Sequence, residues 1–358
     1  MDIEAVRIVG RLKQAGHESY IVGGAVRDLI LGKKPKDFDI VTNASPSQIK
    51  RLFRNARIIG RRFRLVHVYV GKSIYEVATF RSIKDGHTGN TFGTIEEDVL
   101  RRDFTINALF YEPKDQIIID YVGGFNDVKV KLIRPIIPLS VIFKDDPVRM
   151  IRAVKYAATT GFKIPLGLSW KIKQQAHLLD SVSPSRRTEE IFKIINSGSA
   201  CGIVEKLSKY SLYQYLQPQA VNLMQSDGQF KHRYFQSLSE LDQFIKSGKQ
   251  PQSGEVIRYS IRDYLNTIVD WNQEPIQAYR AALTACRAYV LPMNPPRIEL
   301  ENAVRLLFRE HGIGIKKART FEKGRNKEAL PEPAADEGHI PGEQGPKKRR
   351  RRRKKNII

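Results

Sequence analysis

The sequence predicts an α+β protein: an N-terminal domain with a mixed sheet, then an all-helical neck and body, then a disordered basic tail. Three observations predict this. Strand and helix patterns alternate over the first 140 residues, and strand signals become scarce beyond Ile142. After Phe321 the chain turns to Pro, Gly, Glu and Lys with few apolar residues. These shifts place boundaries at 1–140, 141–197, 198–321 and 322–358.

Taken in order, Asp2 is placed to cap a helix whose apolar residues Ile3, Val6, Val9 and Leu12 recur every third position, with Gly16 to close it. Tyr20-Ile21-Val22 reads as a strand, Gly23-Gly24 as a tight turn, and 25–31 as a short helix stopped by Gly32. Residues 37–41 read as a second strand. Ser45-Pro46-Ser47-Gln48 combines an N-cap, a first-turn proline and a capping-box glutamine, and opens a helix to about Asn55. Further strands are expected at 65–70, 74–80 and 116–121, and helices at 147–160, 188–195, 235–245, 255–269, 276–290 and 298–310.

Composition narrows the function classes. With 41% hydrophobic and 28% charged residues, the chain has an ordinary globular balance. It contains no run of 18 apolar residues and opens on no signal-peptide pattern, so a cytoplasmic protein without stable membrane insertion is expected. The two cysteines, Cys201 and Cys286, have no His near them in sequence; a disulfide framework or zinc ribbon is excluded, and both read as small core residues. The strongest signal is charge. Lys+Arg number 61 against 38 Asp+Glu, a net +23 that favours a polyanionic partner. One run, Lys347-Lys348-Arg349-Arg350-Arg351-Arg352-Arg353-Lys354-Lys355, supplies nine of these charges, and the rest of the chain still stays near +14. A mobile polycation of this kind raises affinity for any RNA without choosing a sequence.

Asp37 and Asp39 lie two apart on an expected strand, so both side chains project from one face while Phe38 and Ile40 turn to the core. Adjacent carboxylates repel unless a cation lies between them, and a hard oxygen pair suits Mg²⁺ with substrate phosphates completing the shell. Two such ions can stabilise the attacking and leaving oxygens of a phosphoryl displacement. Gly23-Gly24 follows a strand and opens a helix, where backbone N–H groups can meet phosphate. Two adjacent arginines, Arg101 and Arg102, offer forked donors; Asp103 could hold one of them, and Asn107 can donate to sugar or base. Asp146, Arg149 and Arg152 step by three along an expected helix, and an Asp–Arg pair complements the edge of adenine. Asp146 before Pro147 is equally well placed as an N-cap.

Gly23-Gly24-Ala25-Val26-Arg27-Asp28 with Asp37-Phe38-Asp39 resembles the active-site signature of the polymerase-β-like nucleotidyltransferases. More narrowly, it resembles the bacterial class II branch shared by CCA-adding enzymes and poly(A) polymerases. The octet Arg101–Ala108, the segment Asp120–Asp127, the run from Asp145 to Val154, and Arg186 with Glu189-Glu190 resemble successive later motifs of that family, and the likeness covers about 19–195. Asp145 departs from it, since the family usually has Glu there. The resemblance implies a polymerase-β-like head in which Asp37 and Asp39 bind two catalytic Mg²⁺ ions, with Glu76 as a candidate third acid. It also implies nucleotide contacts from Gly23, Gly24, Arg27, Arg101, Arg102, Asp103, Asn107, Asp146, Arg149 and Arg152. Asp127 and its glycines are expected to be structural, and Arg186 to brace the neck. The implied reaction is template-independent transfer of AMP from ATP to RNA 3′ ends. Ile58-Ile59-Gly60-Arg61-Arg62-Phe63-Arg64-Leu65-Val66-His67-Val68 resembles the poly(A) polymerase version of its segment, with Arg61, Arg62 and Arg64 as RNA contacts; CCA addition to tRNA is the alternative, and a non-catalytic RNA-binding protein on the same fold is a further one.

Overall fold

The computed structural model of the chain describes residues 1–60, 65–84, 86, 91–248, 251 and 254–315. Helix α1 (Ile3–Gln14) starts where Asp2 Oδ1 accepts the N–H of Ala5 at 2.9 Å, and it buries Ala5, Ile8, Val9 and Leu12. Strand β1 (Ser19–Val22) leads through Gly23 into α2 (Gly24–Ile30), and β2 (Asp39–Thr42) leads into α3 (Pro46–Leu52). The Ser45/Gln48 capping box of α3 is complete. Strands β3 (Ala56–Ile59), β4 (Leu65–Val70) and β5 (Ser73–Thr79) form an antiparallel meander. After α4 (Ile95–Leu100) come the hairpin β6 (Leu109–Glu112) and β7 (Ile117–Asp120), then α5 (Gly124–Lys129).

These seven strands make one sheet in the order β3-β4-β5-β2-β1-β6-β7. Only the β2–β5 pair is parallel, so the sheet is mixed, as expected. Its parallel register sets Asp39 opposite Glu76. One face packs α1 and α3 through Ile8, Ile49, Phe53, Val66 and Val68, and this core runs on into the helical part. The other face is covered over β1, β2 and β6 by α4, through Val22, Val41, Phe80, Ile95, Val99 and Phe110.

The remaining described helices are α6 (Ile142–Asp145), α7 (Val148–Thr160), α8 (Leu166–Gln175), α9 (Pro184–Ile195), α10 (Ala200–Lys209), α11 (Pro218–Ser226), α12 (Gly228–Lys246), α13 (Glu255–Ile268), α14 (Pro275–Tyr289) and α15 (Arg297–Glu310). None of the described helices is long and apolar enough to cross a membrane. All these elements belong to one compact unit, Met1–Ile315. Cys286 is buried in its core, where burial pushes the thiol up to about 12, and Cys201 is half-buried. Strand β2 begins at Asp39, so Asp37 stands before it, exposed, rather than on it as the pattern predicts. Strands β3 and β6 and helices α4, α5, α6, α8, α10 and α11 go beyond the expected elements. Helix α10 explains why: Asp242, on α12, accepts the N–H groups of Ala200 and Cys201 at 2.5 and 3.0 Å, so its N-terminal partner comes from a remote part of the chain.

Candidate active site

Strand β1 ends at Gly23, whose φ of 77° and ψ of −133° lie where a side chain is strongly disfavoured. A Cβ at this position would lie 3.9 Å from Arg102 Nη1 and 4.0 Å from Asp39 Oδ2. Turn, arginine and carboxylate therefore converge on one point. From there a cleft of about 700 Å³ opens, lined by Gly23, Gly24, Arg27, Asp39, Arg81, Asp98, Arg101, Arg102, Asp103, Asn107, Asp145, Asp146, Arg149, Arg152, Tyr156 and Arg186. Most residues expected to meet nucleotide are thus brought together. Asp37 and Glu76 lie outside this lining.

The cleft holds seven arginines against five aspartates, and its electrostatics reflect that excess. Burial, with Arg81, Arg102 and Arg149 nearby, lowers Arg101 to about 10 despite Asp98. Burial likewise lowers Arg81 and Arg149, against the opposing carboxylates. Cations crowded together out of water favour an anion between them. Burial opposes the charge of Arg152, but Asp103 and Tyr156 outweigh it and raise its pKa.

The hydrogen bonds revise several expected pairings. Arg102 is held by Asp98, not by its neighbour Asp103: its Nε and Nη2 reach Asp98 Oδ2 at 3.1 and 2.8 Å, and its Nη1 reaches the carbonyl of Asn107 at 3.1 Å. Helix α4 ends just before Arg101, so Asp98 and Arg102 sit one turn apart at its end. Asp103 instead faces Arg152 on α7, 3.0 Å from its Nε. Asn107 Oδ1 accepts from Arg27 Nη1 at 2.7 Å, tying α2 to the octet. Asp146 does not share the face of α7 with Arg149 and Arg152, because that helix starts two residues later. Its carboxylate accepts from Arg186 Nη2 at 3.0 and 2.8 Å and from the N–H of Val148 at 3.2 Å, while Arg149 Nη1 donates to the carbonyl of Ile142. Asp146 is therefore a cap and an ion-pair partner at once.

Asp127 is fully buried, accepts from Thr105 Oγ1 at 2.6 Å and lies 2.8 Å from Arg134 Nη2, a bracing position away from the cleft. Five lining residues were not among the expected site residues: Arg81, Asp98, Asp145, Tyr156 and Arg186. Two carried a local signal, since Asp98 precedes Arg102 by four and Tyr156 follows Arg149 and Arg152 at helical spacing. Arg81 and Arg186 enter from distant elements. Arg61, Arg62 and Arg64 lie outside the described residues, as do Lys347, Lys348, Arg349, Arg350, Arg351, Arg352 and Arg353.

Whether Mg²⁺ suits the site can be tested on Asp39. Asp39 is exposed at the start of its strand, yet the protein packed around its carboxyl, together with the charges of Glu76 and Asp37, pushes it up to about 6, with Arg102 opposing. An acidic group so placed favours a cation, and one or two carboxylates with substrate phosphates suffice for Mg²⁺. Glu76 stands beside Asp39 by register, but its Oε1 lies 3.5 Å from His67 Nε2. Among the described residues no three His, Cys, Asp or Glu side chains are grouped to hold one ion.

Known proteins resemble the chain in two ways. Residues 19–134 match the Poly A polymerase head domain, and 161–224 match a domain described as the probable RNA- and SrmB-binding site of polymerase A. The chain is 43% identical to Poly(A) polymerase I of Salmonella typhi over 63% of its own length and 52% of that protein. It is 34% identical to the CCA-adding enzyme of Bacillus velezensis, over 60% and 55% of the two chains. The chain thus spans about half the length of the curated relatives it matches. Among solved structures, the Bacillus stearothermophilus CCA-adding enzyme in complex with CTP superposes with a TM-score of 0.59 at 27% identity, covering 87% of this chain and 83% of that one. A tRNA nucleotidyltransferase complexed with a primer tRNA and an incoming ATP analogue gives 0.56 at 25%, over 85% and 84%.

Proposed function

Because the chain belongs to the nucleotidyltransferase family of bacterial poly(A) polymerases and CCA-adding enzymes, we propose that it transfers AMP from ATP to RNA 3′ ends and releases pyrophosphate. The observation that carries this reading is the convergence of Gly23, Asp39 and Arg102 at the mouth of an arginine-rich cleft. In the proposed reaction the RNA 3′ hydroxyl attacks the α-phosphate in line, and the bond to pyrophosphate breaks on the far side. Asp37 and Asp39 would hold the Mg²⁺ ions, which supply charge stabilisation at the attacking and leaving oxygens. Arg101 and Arg102 face the triphosphate charge from a site already short of anions, where donors are worth more than in water. The Gly23 turn leaves room for phosphate beside them. Asp146 and Arg149 stand where the base would be read, with Arg186 orienting Asp146.

Poly(A) synthesis is favoured over tRNA-terminus addition by the identity of 43% over 63% of the chain to a poly(A) polymerase, against 40% over 54% to a CC-adding tRNA nucleotidyltransferase and 34% over 60% to a CCA-adding enzyme. CCA addition is the second reading, supported by the coverage of the solved CCA-adding enzyme. Incubating the protein with Mg²⁺, labelled ATP or CTP, and either a generic oligonucleotide or tRNA lacking its 3′ end separates the two. Long A tracts on the generic RNA are expected. Addition that stops after the tRNA terminus is rebuilt, with CTP required, would replace this reading by CCA addition.

A further inference from the structure

Helices α10, α11 and α12 surround a second cavity of about 660 Å³, which shares no lining residue with the arginine-rich cleft. Its apolar wall is built by Val221, Met224 and Phe235, all half-buried. Polar side chains with no other task stand around that wall. Gln214 and Gln225 are exposed, and neither side-chain amide has a hydrogen-bond partner among the described residues. Lys209 pairs with Glu205 at 2.9 Å, but Lys231 pairs with no acid among the described residues. The backbone supplies an independent observation. Helix α10 ends with the N–H of Ser211 donating to the carbonyl of Ser208 at 3.0 Å and the N–H of Leu212 to that of Leu207 at 2.9 Å. Glycine normally closes a helix in this way, because the residue must take a left-handed conformation. Here Ser211 takes it, at a φ of 57°, and Ser211 lines the cavity. Strain of this kind clusters at ligand sites.

We propose that this cavity binds a nucleoside phosphate, either a free nucleotide or one unit of an RNA chain. The Phe235 ring offers a face on which any base can stack. The flexible thioether of Met224 adapts to whatever lies against it. Side-chain amides carry both a donor and an acceptor, the pair that matches the edge of a base, and two of them are unused here. Lys231 supplies the cation for the phosphate. The volume falls within the roughly 300–1,000 Å³ of small-molecule sites. A purely apolar ligand would leave Lys231 and both amides without partners. The site goes beyond nucleotidyl transfer, since it lies away from Asp39 and binding there requires no reaction. Lys231 and Phe235 also lie past the matched stretch 161–224.

The test irradiates the full chain with 8-azido-AMP, or with an oligoadenylate carrying one 8-azidoadenosine, and maps the adducts by mass spectrometry. Adducts are expected on the α11 and α12 peptides besides those from the cleft, which serve as an internal control. Labelling of α11 and α12 by 8-azido-AMP would identify the free nucleotide as a sufficient ligand; labelling by the oligonucleotide alone would identify RNA. Phe235→Leu should raise the half-saturating concentration for this labelling by about fivefold, and Phe235→Tyr should restore it, because the stacking face returns. Lys231→Gln should lower the salt slope of oligonucleotide labelling by about one. Ser211→Gly should raise the melting temperature yet weaken labelling by about twofold, the loss of one hydroxyl hydrogen bond. Cleft labelling should stay unchanged in all four variants. No adducts on α10–α12 with either probe would overturn the proposal, and so would Phe235→Leu labelling as well as Phe235→Tyr. The readout is binding, so the outcome is decided whether or not the chain transfers nucleotide.

Discussion

Asp39 combines two opposed demands at the scale of one residue. Partial loss of water around its carboxyl and the neighbouring charges of Glu76 and Asp37 raise its pKa, so its ionised form is disfavoured in the metal-free fold, though only modestly because the residue is exposed. Replacing it by Asn removes that disfavoured charge and also removes the proposed metal contact. Asp39→Asn should therefore leave the metal-free melting temperature unchanged or higher, while turnover falls at least about 10²-fold, the scale of losing one electrostatic stabiliser. Near-normal transfer by this variant would sink the assignment. Asp146 is the second residue of this kind, because Arg186 holds both of its oxygens. If Arg186 acts only by orienting Asp146, the single changes Asp146→Ala and Arg186→Ala should each blur ATP preference, and the double variant should add nothing further. A double-mutant cycle on kcat/KM for ATP against CTP reads this, with a coupling of about 1 kcal/mol or more expected. Strict additivity would reduce Arg186 to a bystander. Asp39, Arg101 and Arg102, which meet in one cleft, were legible in sequence because their motifs are short and local, whereas Asp37, read with them, lies outside that lining. The partners of Asp103 and Asp146 were not, because Arg152 and Arg186 reach them from other elements.

Elements decide how firmly those residues are held. Helix α5 presses against the turn that carries Asn107, and a Cβ at Gly124 would stand 2.2 Å from the Thr105 carbonyl oxygen. Backbone cannot yield easily there. Gly124→Ala should destabilise the protein by on the order of 1–3 kcal/mol and lower its activity with its melting temperature. An alanine variant that melts like the parent would show that α5 can shift without harm. Helices α1 and α3 were readable from caps and apolar spacing because those signals lie within one turn of the helix start. Strands β3 and β6 were not, because each is defined by its pairing with neighbouring strands rather than by its own residues. Strand β2 was read two residues too early for the same reason: its pairing with β1 and β5 begins at Asp39.

At the scale of the whole molecule, charge is the dominant fact. The run Lys347 to Lys355 lies outside the described residues, but its consequence is electrostatic and follows from composition. Cations bind RNA largely by releasing counterions, a contribution that weakens linearly with the logarithm of salt concentration. Deleting residues 346–358 should raise the KM for long RNA and flatten its salt dependence, with the KM for ATP and the rate at saturating RNA nearly unchanged. Salt titrations of full-length and truncated protein on one long oligonucleotide check this. Equal slopes would assign the tail another task.

By itself the sequence determined the class of the fold, the succession of head, helices and basic tail, and the identity of the acidic and arginine motifs. Those depend on residue type, period and spacing along the chain, which are local quantities. Tertiary structure alone decided that Asp98 holds Arg102, that Arg186 pairs with Asp146, and that Arg81 enters the cleft. It alone set Glu76 beside Asp39. Strand register and helix docking are long-range choices, settled by which apolar faces bury one another, and no short window of sequence contains both partners.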